Sequence, residues 1–196
     1  VYCDQSSSTI VNNVLSGNLA PSGRGAGIFC AGSLLTIANS TIAANTASDL
    51  GGGACFVDST PVVANTIIAS NSSGIHIAGM GTPIVSYNCA YGNTSGSTRS
   101  GSSIGPHSIT TNPLVDAARQ YRFTSSSSPA VNSANPSDAY TDPDGTRGDM
   151  GAYGSPEAAN WWRDPFSGPT ITNVTIDPPQ VAPGGAVTIR ATARTE

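Results

Sequence analysis

The chain has 196 residues, enough for one sizeable core, yet only 10% of them are charged, while Gly, Ser, Thr, Asn and Ala abound. Eight basic residues, all Arg, against twelve acids give a net charge of -4. This excludes the basic footprint of a nucleic-acid binder and a polybasic membrane patch. Periodic Ile and Val argue against a disordered acidic tail, and the absence of any run of about eighteen apolar residues argues against a membrane-spanning segment.

The first element is a repeat. Four near-copies, TIVNNVLSGN (9–18), TIANSTIAAN (36–45), VVANTIIASN (62–71) and IVSYNCAYGN (84–93), close on Asn18, Asn45, Asn71 and Asn93, at spacings of 27, 26 and 22 residues. Repeats of this length mark solenoids. A second segment, GIFC (27–30), GACF (53–56) and GIHI (74–77), precedes the block in each later copy. Two or three very short strands per repeat, separated by bends, predict an all-β solenoid, a single-stranded parallel β-helix of about four to five coils over residues 1–97.

Period-two alternation assigns the columns. The expected core columns are Ile10/Ile37/Val63/Val85, Val14/Thr41/Ile67/Cys89 and Leu15/Ile42/Ile68/Ala90, with Val1/Ile28/Ala54/Ile75 and Cys3/Cys30/Phe56/Ile77 on another wall. Between them lies Asn12/Asn39/Asn65, with Tyr87 in fourth place. Asn12, Asn39, Asn65 and the closing Asn18, Asn45, Asn71 and Asn93 are read as structural ladders, because stacked amides can pair from coil to coil and Asn tolerates a left-handed bend. Cys3 and Cys30, one coil apart, fit either a disulfide or stacked thiols; no Cys or His spacing fits zinc or an iron–sulfur cluster. The outward column Tyr2/Phe29/Cys55/His76 offers Tyr2, Phe29 and His76 as a carbohydrate-stacking strip, or as a surface covered by loops.

After Asn93 a Ser/Gly-rich stretch leads to an irregular last coil and closing segment, residues 98–156. TNPLVDAARQYRFTSSSSPAVNSA (111–134) and YTDPDGTRGDMGAYGSP (140–156) carry Asn112 to Asp116, Tyr121 to Phe123, Ser128 to Asn132, and Asp142, Asp144, Gly145, Arg147, Asp149, Gly151, Ala152 and Tyr153. These motifs resemble the ending of secreted bacterial right-handed parallel β-helix proteins, which run "DPLF.D...DYRL...SPAID.G" and then "D.DG..R...D.GAYE". Asn112 and Asn132 stand where Asp is common, and Gly154 is not followed by Glu. The resemblance implies a right-handed coil, a secreted or cell-surface setting and a large multidomain parent. It implies no single activity, since related coils occur in polysaccharide lyases, adhesins and structural proteins.

Asp142, Asp144 and Asp149 form the richest acidic cluster, and carboxylates around a glycine turn suit Ca²⁺. The competing reading has them cap backbone N–H groups, with Asp149 paired to Arg147 or Arg122. Arg147-Gly148-Asp149 also spells an adhesion tripeptide, inside the closing pattern. Lyase chemistry would draw on Arg24, Asp49, Asp58, His76 and Asp4, yet no outward column repeats an acid.

Residues 157–169 read as a linker whose Trp161 and Trp162 either dock on the last coil or form a sugar platform. Residues 170–196 alternate around PPQVAPGG and resemble the start of an immunoglobulin-like or fibronectin-like module. The expected function is a non-enzymatic structural or adhesion and binding module of an extracellular or cell-surface protein, partnered by other domains of its parent and by polysaccharide or a surface protein. The alternative is the C-terminal part of a β-helix polysaccharide lyase or glycoside hydrolase. Catalytic residues are not assigned, and Ca²⁺ is the one candidate cofactor.

Overall fold

A computed structural model describes residues 1–96, 98, 99, 104–155, 158, 170–177 and 188–194. Two compact units are present, Val1–Trp161 and Trp162–Glu196. In the first, the repeat winds into a parallel β-helix with three walls. The first wall stacks Tyr2–Asp4, Ile28–Ala31, Ala54–Val57, Ile75–Ala78 and the short Thr98–Arg99. Ser7–Val11, Leu34–Ala38, Val62–Ala64 and Ile84–Ser86 form the second, and Val14–Ser16, Thr41–Ala43, Ile67–Ala69 and Cys89–Tyr91 the third. Four rungs thus span about three turns, and every pairing between coils is parallel.

The registers reproduce the sequence columns: Ile10 opposes Ile37 and Val63 opposes Val85 on the second wall, while Cys3 opposes Cys30 and Phe56 opposes Ile77 on the first. Bends occur where a non-glycine backbone turns left-handed, at Asn12, Asn39, Asn65 and Tyr87 (φ 53°, 42°, 52° and 55°). At the next bend the left-handed residue is Gly17, Ala44, Ser70 or Gly92, one position before the closing Asn. Those Asn residues therefore do not serve by tolerating the bend. Their amides serve instead.

Gly27, Gly53 and Gly74 precede three of the first-wall strands, and at Gly53 the reason is want of space. A Cβ on Gly53 would lie 2.9 Å from the Gly74 carbonyl oxygen and 3.2 Å from the Asn71 amide nitrogen of the stacked coils.

The interior core joins Ile28, Cys30, Leu35, Ile37, Ile42, Phe56, Val63, Ile68 and Ile75. The column Val14/Thr41/Ile67/Cys89, expected inside, faces outward from the third wall. A second core forms there, in which Ile67, Ala69 and Cys89 pack with Ala130 and Met150. The closing segment is therefore part of the same unit, folded along the outer side of the third wall. Within it, Val115–Asp116 pairs antiparallel with Arg122–Phe123 around a 3-10 turn, Ala117–Arg119, capped by Asp116.

In the second unit Thr170–Asp177 pairs antiparallel with Thr188–Arg194, with an irregularity between Ile171 and Asn173. Among the described residues no helix is long and apolar enough to cross a membrane.

Candidate functional site

The two Asn columns have different tasks. Asn18, Asn45 and Asn71 donate through their side-chain amides to the side-chain carbonyls of Asn45, Asn71 and Asn93 over 2.8, 3.0 and 3.0 Å. The same carbonyls accept the backbone N–H of Asn18, Asn45 and Asn71 at 3.0, 2.9 and 3.0 Å. Asn45, Asn71 and Asn93 also donate to the carbonyls of Leu15, Ile42 and Ile68 at 2.9, 3.0 and 2.9 Å. Buried polar groups are thereby satisfied along the whole edge.

Asn12, Asn39 and Asn65 face the closing segment instead. Asn12 donates to the carbonyls of Ala152 and Gly154 at 2.9 and 2.8 Å, and Asn39 to that of Asp149 at 3.3 Å. Asn65 accepts the Asn135 N–H at 2.7 Å and donates to Asn39 at 3.3 Å. This column both links coils and fastens the strap laid over them. A third ladder escaped the sequence reading: the N–H of Asn13, Thr66 and Asn88 donate to Ser40, Asn88 and Ser108 at 3.3, 3.0 and 2.9 Å. Its signal was the polar column Asn13/Ser40/Thr66/Asn88, directly after the Asn12 column.

The aromatic strip is shorter than expected. Tyr2 and Phe29 stack with ring centroids 5.5 Å apart and an interplanar angle of 12°, but Cys55 and His76, in the same column, are buried. Gly51 lies against Cys55 so closely that a Cβ would stand 2.8 Å from the Cys55 Cβ. The loops at Gly25 and Gly51 thus press on the wall at Phe29 and Cys55, and His76, only 3% exposed, is not part of a surface strip. Trp161 and Trp162 lie outside the described residues.

The three closing carboxylates each hold a different backbone group. Asp142 accepts Ser155 N–H at 2.8 Å, Asp144 accepts both the N–H and hydroxyl of Thr146 at 2.9 and 2.7 Å, and Asp149 accepts Asn132 N–H at 2.7 Å. Burial pushes Asp142 up to about 6 and raises Asp149, whereas the Thr146 bonds lower Asp144. Among the described residues no three His, Cys, Asp or Glu side chains gather as metal ligands. Arg147 donates to the carbonyls of Ala134 and Ser133 at 2.6 and 3.1 Å, not to Asp149. With Gly148 buried against Tyr140, the adhesion tripeptide is built into the fold.

Of the residues considered for lyase chemistry, Arg24 and Asp49 meet in an exposed ion pair at 2.6 Å, and Asp58 accepts Met80 N–H at 2.7 Å. A groove of about 460 Å³ lies on the second wall, lined by Ser7, Ser8, Thr9, Leu34, Leu35, Thr36, Thr60 and Val62. All eight are hydroxyl or aliphatic residues.

A family described as "Right handed beta helix region" matches residues 1–133. The chain belongs to this right-handed β-helix family. The match covers all four rungs and ends before the 140–156 part of the closing segment. No curated protein and no solved structure matches the chain. Membership in the right-handed β-helix family settles the architecture; function has to be argued from the walls.

Proposed function

We propose that this unit is a non-enzymatic structural or adhesion module of a secreted or cell-surface protein, with the second-wall groove and the Tyr2–Phe29 stack as its ligand-facing surfaces. One observation carries the reading: none of the groove residues Ser7, Ser8, Thr9, Leu34, Leu35, Thr36, Thr60 and Val62 titrates near neutral pH. General acid–base catalysis needs a positioned group that gains and loses a proton, and a hydroxyl nucleophile needs a neighbouring base. Hydroxyls interleaved with Leu and Val suit the alternating polar and apolar faces of a polysaccharide, and a stacked aromatic pair adds a platform for a sugar ring. The antiparallel pairing of Thr170–Asp177 with Thr188–Arg194 fits two strands of an immunoglobulin-like domain, in keeping with a modular parent.

The test is incubation of the chain, and of its full-length parent, with a panel of acidic and neutral glycans, with and without calcium. Retention on a glycan surface, weakened by Thr36→Arg or Tyr2→Ala, is expected, with no change in glycan length. New reducing ends or unsaturated products from the chain itself would replace this reading with the lyase or hydrolase one.

A further inference from the structure

We propose that Cys3 and Cys30 form an oxidisable pair that closes to a disulfide and staples the first rung to the second. The two are direct register partners on the first wall, where Tyr2–Asp4 runs parallel to Ile28–Ala31. Both side chains point into the same interior core. All four cysteines of the structure are buried thiols, but the others have no such partner. Cys55 faces the opposite side of its strand and opposes Phe29 and His76, and Cys89 lies on the third wall against Ile67.

Register partners on adjacent strands lie about 4.8 Å apart, inside the Cα window of about 4.4–6.8 Å that disulfides occupy. Their Cβ atoms start about 1 Å beyond the mean disulfide spacing of about 3.8 Å, because ladder side chains project in parallel. Closing the bridge draws the two strands together by that amount.

The chemistry is a two-step exchange with a small-molecule disulfide such as oxidised glutathione. One cysteine thiolate attacks the glutathione disulfide, forming a mixed disulfide and releasing one glutathione thiol. The second cysteine, as thiolate, then attacks the mixed disulfide at the protein sulfur and expels the other glutathione. Two protein thiols are oxidised to one S–S bond, one glutathione disulfide is reduced to two thiols, and the two cysteine protons end on glutathione. Burial and the neighbouring Cys3 thiol push Cys30 up to about 12, so the closed core resists the reaction. The bridge therefore forms while the chain folds or while the two strands are transiently parted, and once formed it holds them together.

The full chain is refolded with reduced and oxidised glutathione, isolated as folded monomer, denatured, alkylated with iodoacetamide and mapped by peptide mass. The expected product carries two alkyl groups, on Cys55 and Cys89, and one linked peptide pair holding Cys3 and Cys30. Amide exchange over Tyr2–Asp4 slows roughly thirtyfold or more relative to the reduced chain, and dithiothreitol reverses this. Cys3→Ser should take three labels and show no slowing. A folded, oxidant-treated chain with four labels overturns the proposal, as does a linkage that includes Cys55 or Cys89, or a Cys3→Ser chain that still loses a pair of thiols.

Discussion

The Asn45 side-chain amide donates to the Asn71 side-chain carbonyl at 3.0 Å, and neither residue is reached by solvent. Each such amide donates to the coils on both sides and accepts twice from the preceding one, so a single side chain closes four hydrogen bonds across three rungs. Little else in the rung is polar and buried at that bend, which makes the pair a sensitive place to perturb.

Asn71→Ala removes the acceptor for the Asn45 backbone and side chain and the donor to Ile42 and Asn93. The loss should reach about 3 kcal/mol or more, since each stranded buried group costs about 1–3 kcal/mol. Asn18→Ala, at the exposed end of the same ladder, should cost about 1 kcal/mol or less. Urea unfolding of the two variants side by side measures the contrast, and equal losses would contradict the ladder.

Met150 is 1% exposed and fills the outer core against the third wall. Met150→Ala should destabilise by about 2–5 kcal/mol and release the strap before the coils. Limited proteolysis would then cut within 134–149 while the far-ultraviolet circular dichroism of the β-helix persists. Gly151→Ala should act in the same direction, because a Cβ at φ +103° would stand 2.7 Å from Ile67 Cδ1.

Ala44 holds a left-handed backbone, φ 55°, at an exposed bend where the first rung has Gly17 and the fourth Gly92. A left-handed L-residue costs about 1–2 kcal/mol, partly offset by the entropy of glycine in the unfolded chain. Ala44→Gly should therefore raise stability by about 0.5–1 kcal/mol, seen as a higher urea midpoint at unchanged slope.

Asp142 sits at about 6 in the folded chain against 3.8 for the free group, and burial also raises Asp149. The folded state then binds more protons than the unfolded chain between these values, so stability is greatest below the unfolded value and falls as pH rises through about 6. Exposed Asp144 runs the other way. Thermal midpoints taken from about pH 4 to about pH 7 should decline for the native chain and decline less for Asp142→Asn, whose amide oxygen can still accept Ser155 N–H. A midpoint that rises over this range would refute the assignment of burial as the dominant influence.

The columns were legible because each coil repeats the same residue classes at the same offsets, and the pairings of Ile10 with Ile37 and of Cys3 with Cys30 follow directly. The orientation of Val14/Thr41/Ile67/Cys89 was not. Third-wall strands hold three residues each, too few for alternation to fix its phase, and Thr41, Ile42 and Ala43 are all buried because both faces of the wall are covered. The cover comes from residues more than a hundred positions away, such as Ala152, whose N–H donates to Thr41 at 3.1 Å. His76 illustrates the same difficulty on the first wall: its column was evident, but its burial depends on what folds over it. The carboxylates of the closing turn were visible as a cluster in the chain, whereas their separate backbone partners depend on tertiary contacts with Asn132 and Ser155.

The strap meets the first rung at Asn12, the second at Asn39 and the third at Asn65, using residues 154 and 152, then 149, then 135. It works as a length gauge. An open solenoid can gain or lose a repeat by recombination and keep every remaining interface, but here an inserted or deleted coil between Asn12 and Asn65 would move these anchors out of step with a strap of fixed length. Copy number is thus locked by the closing segment, and variation in this lineage should concentrate in the loops or outside the strapped rungs.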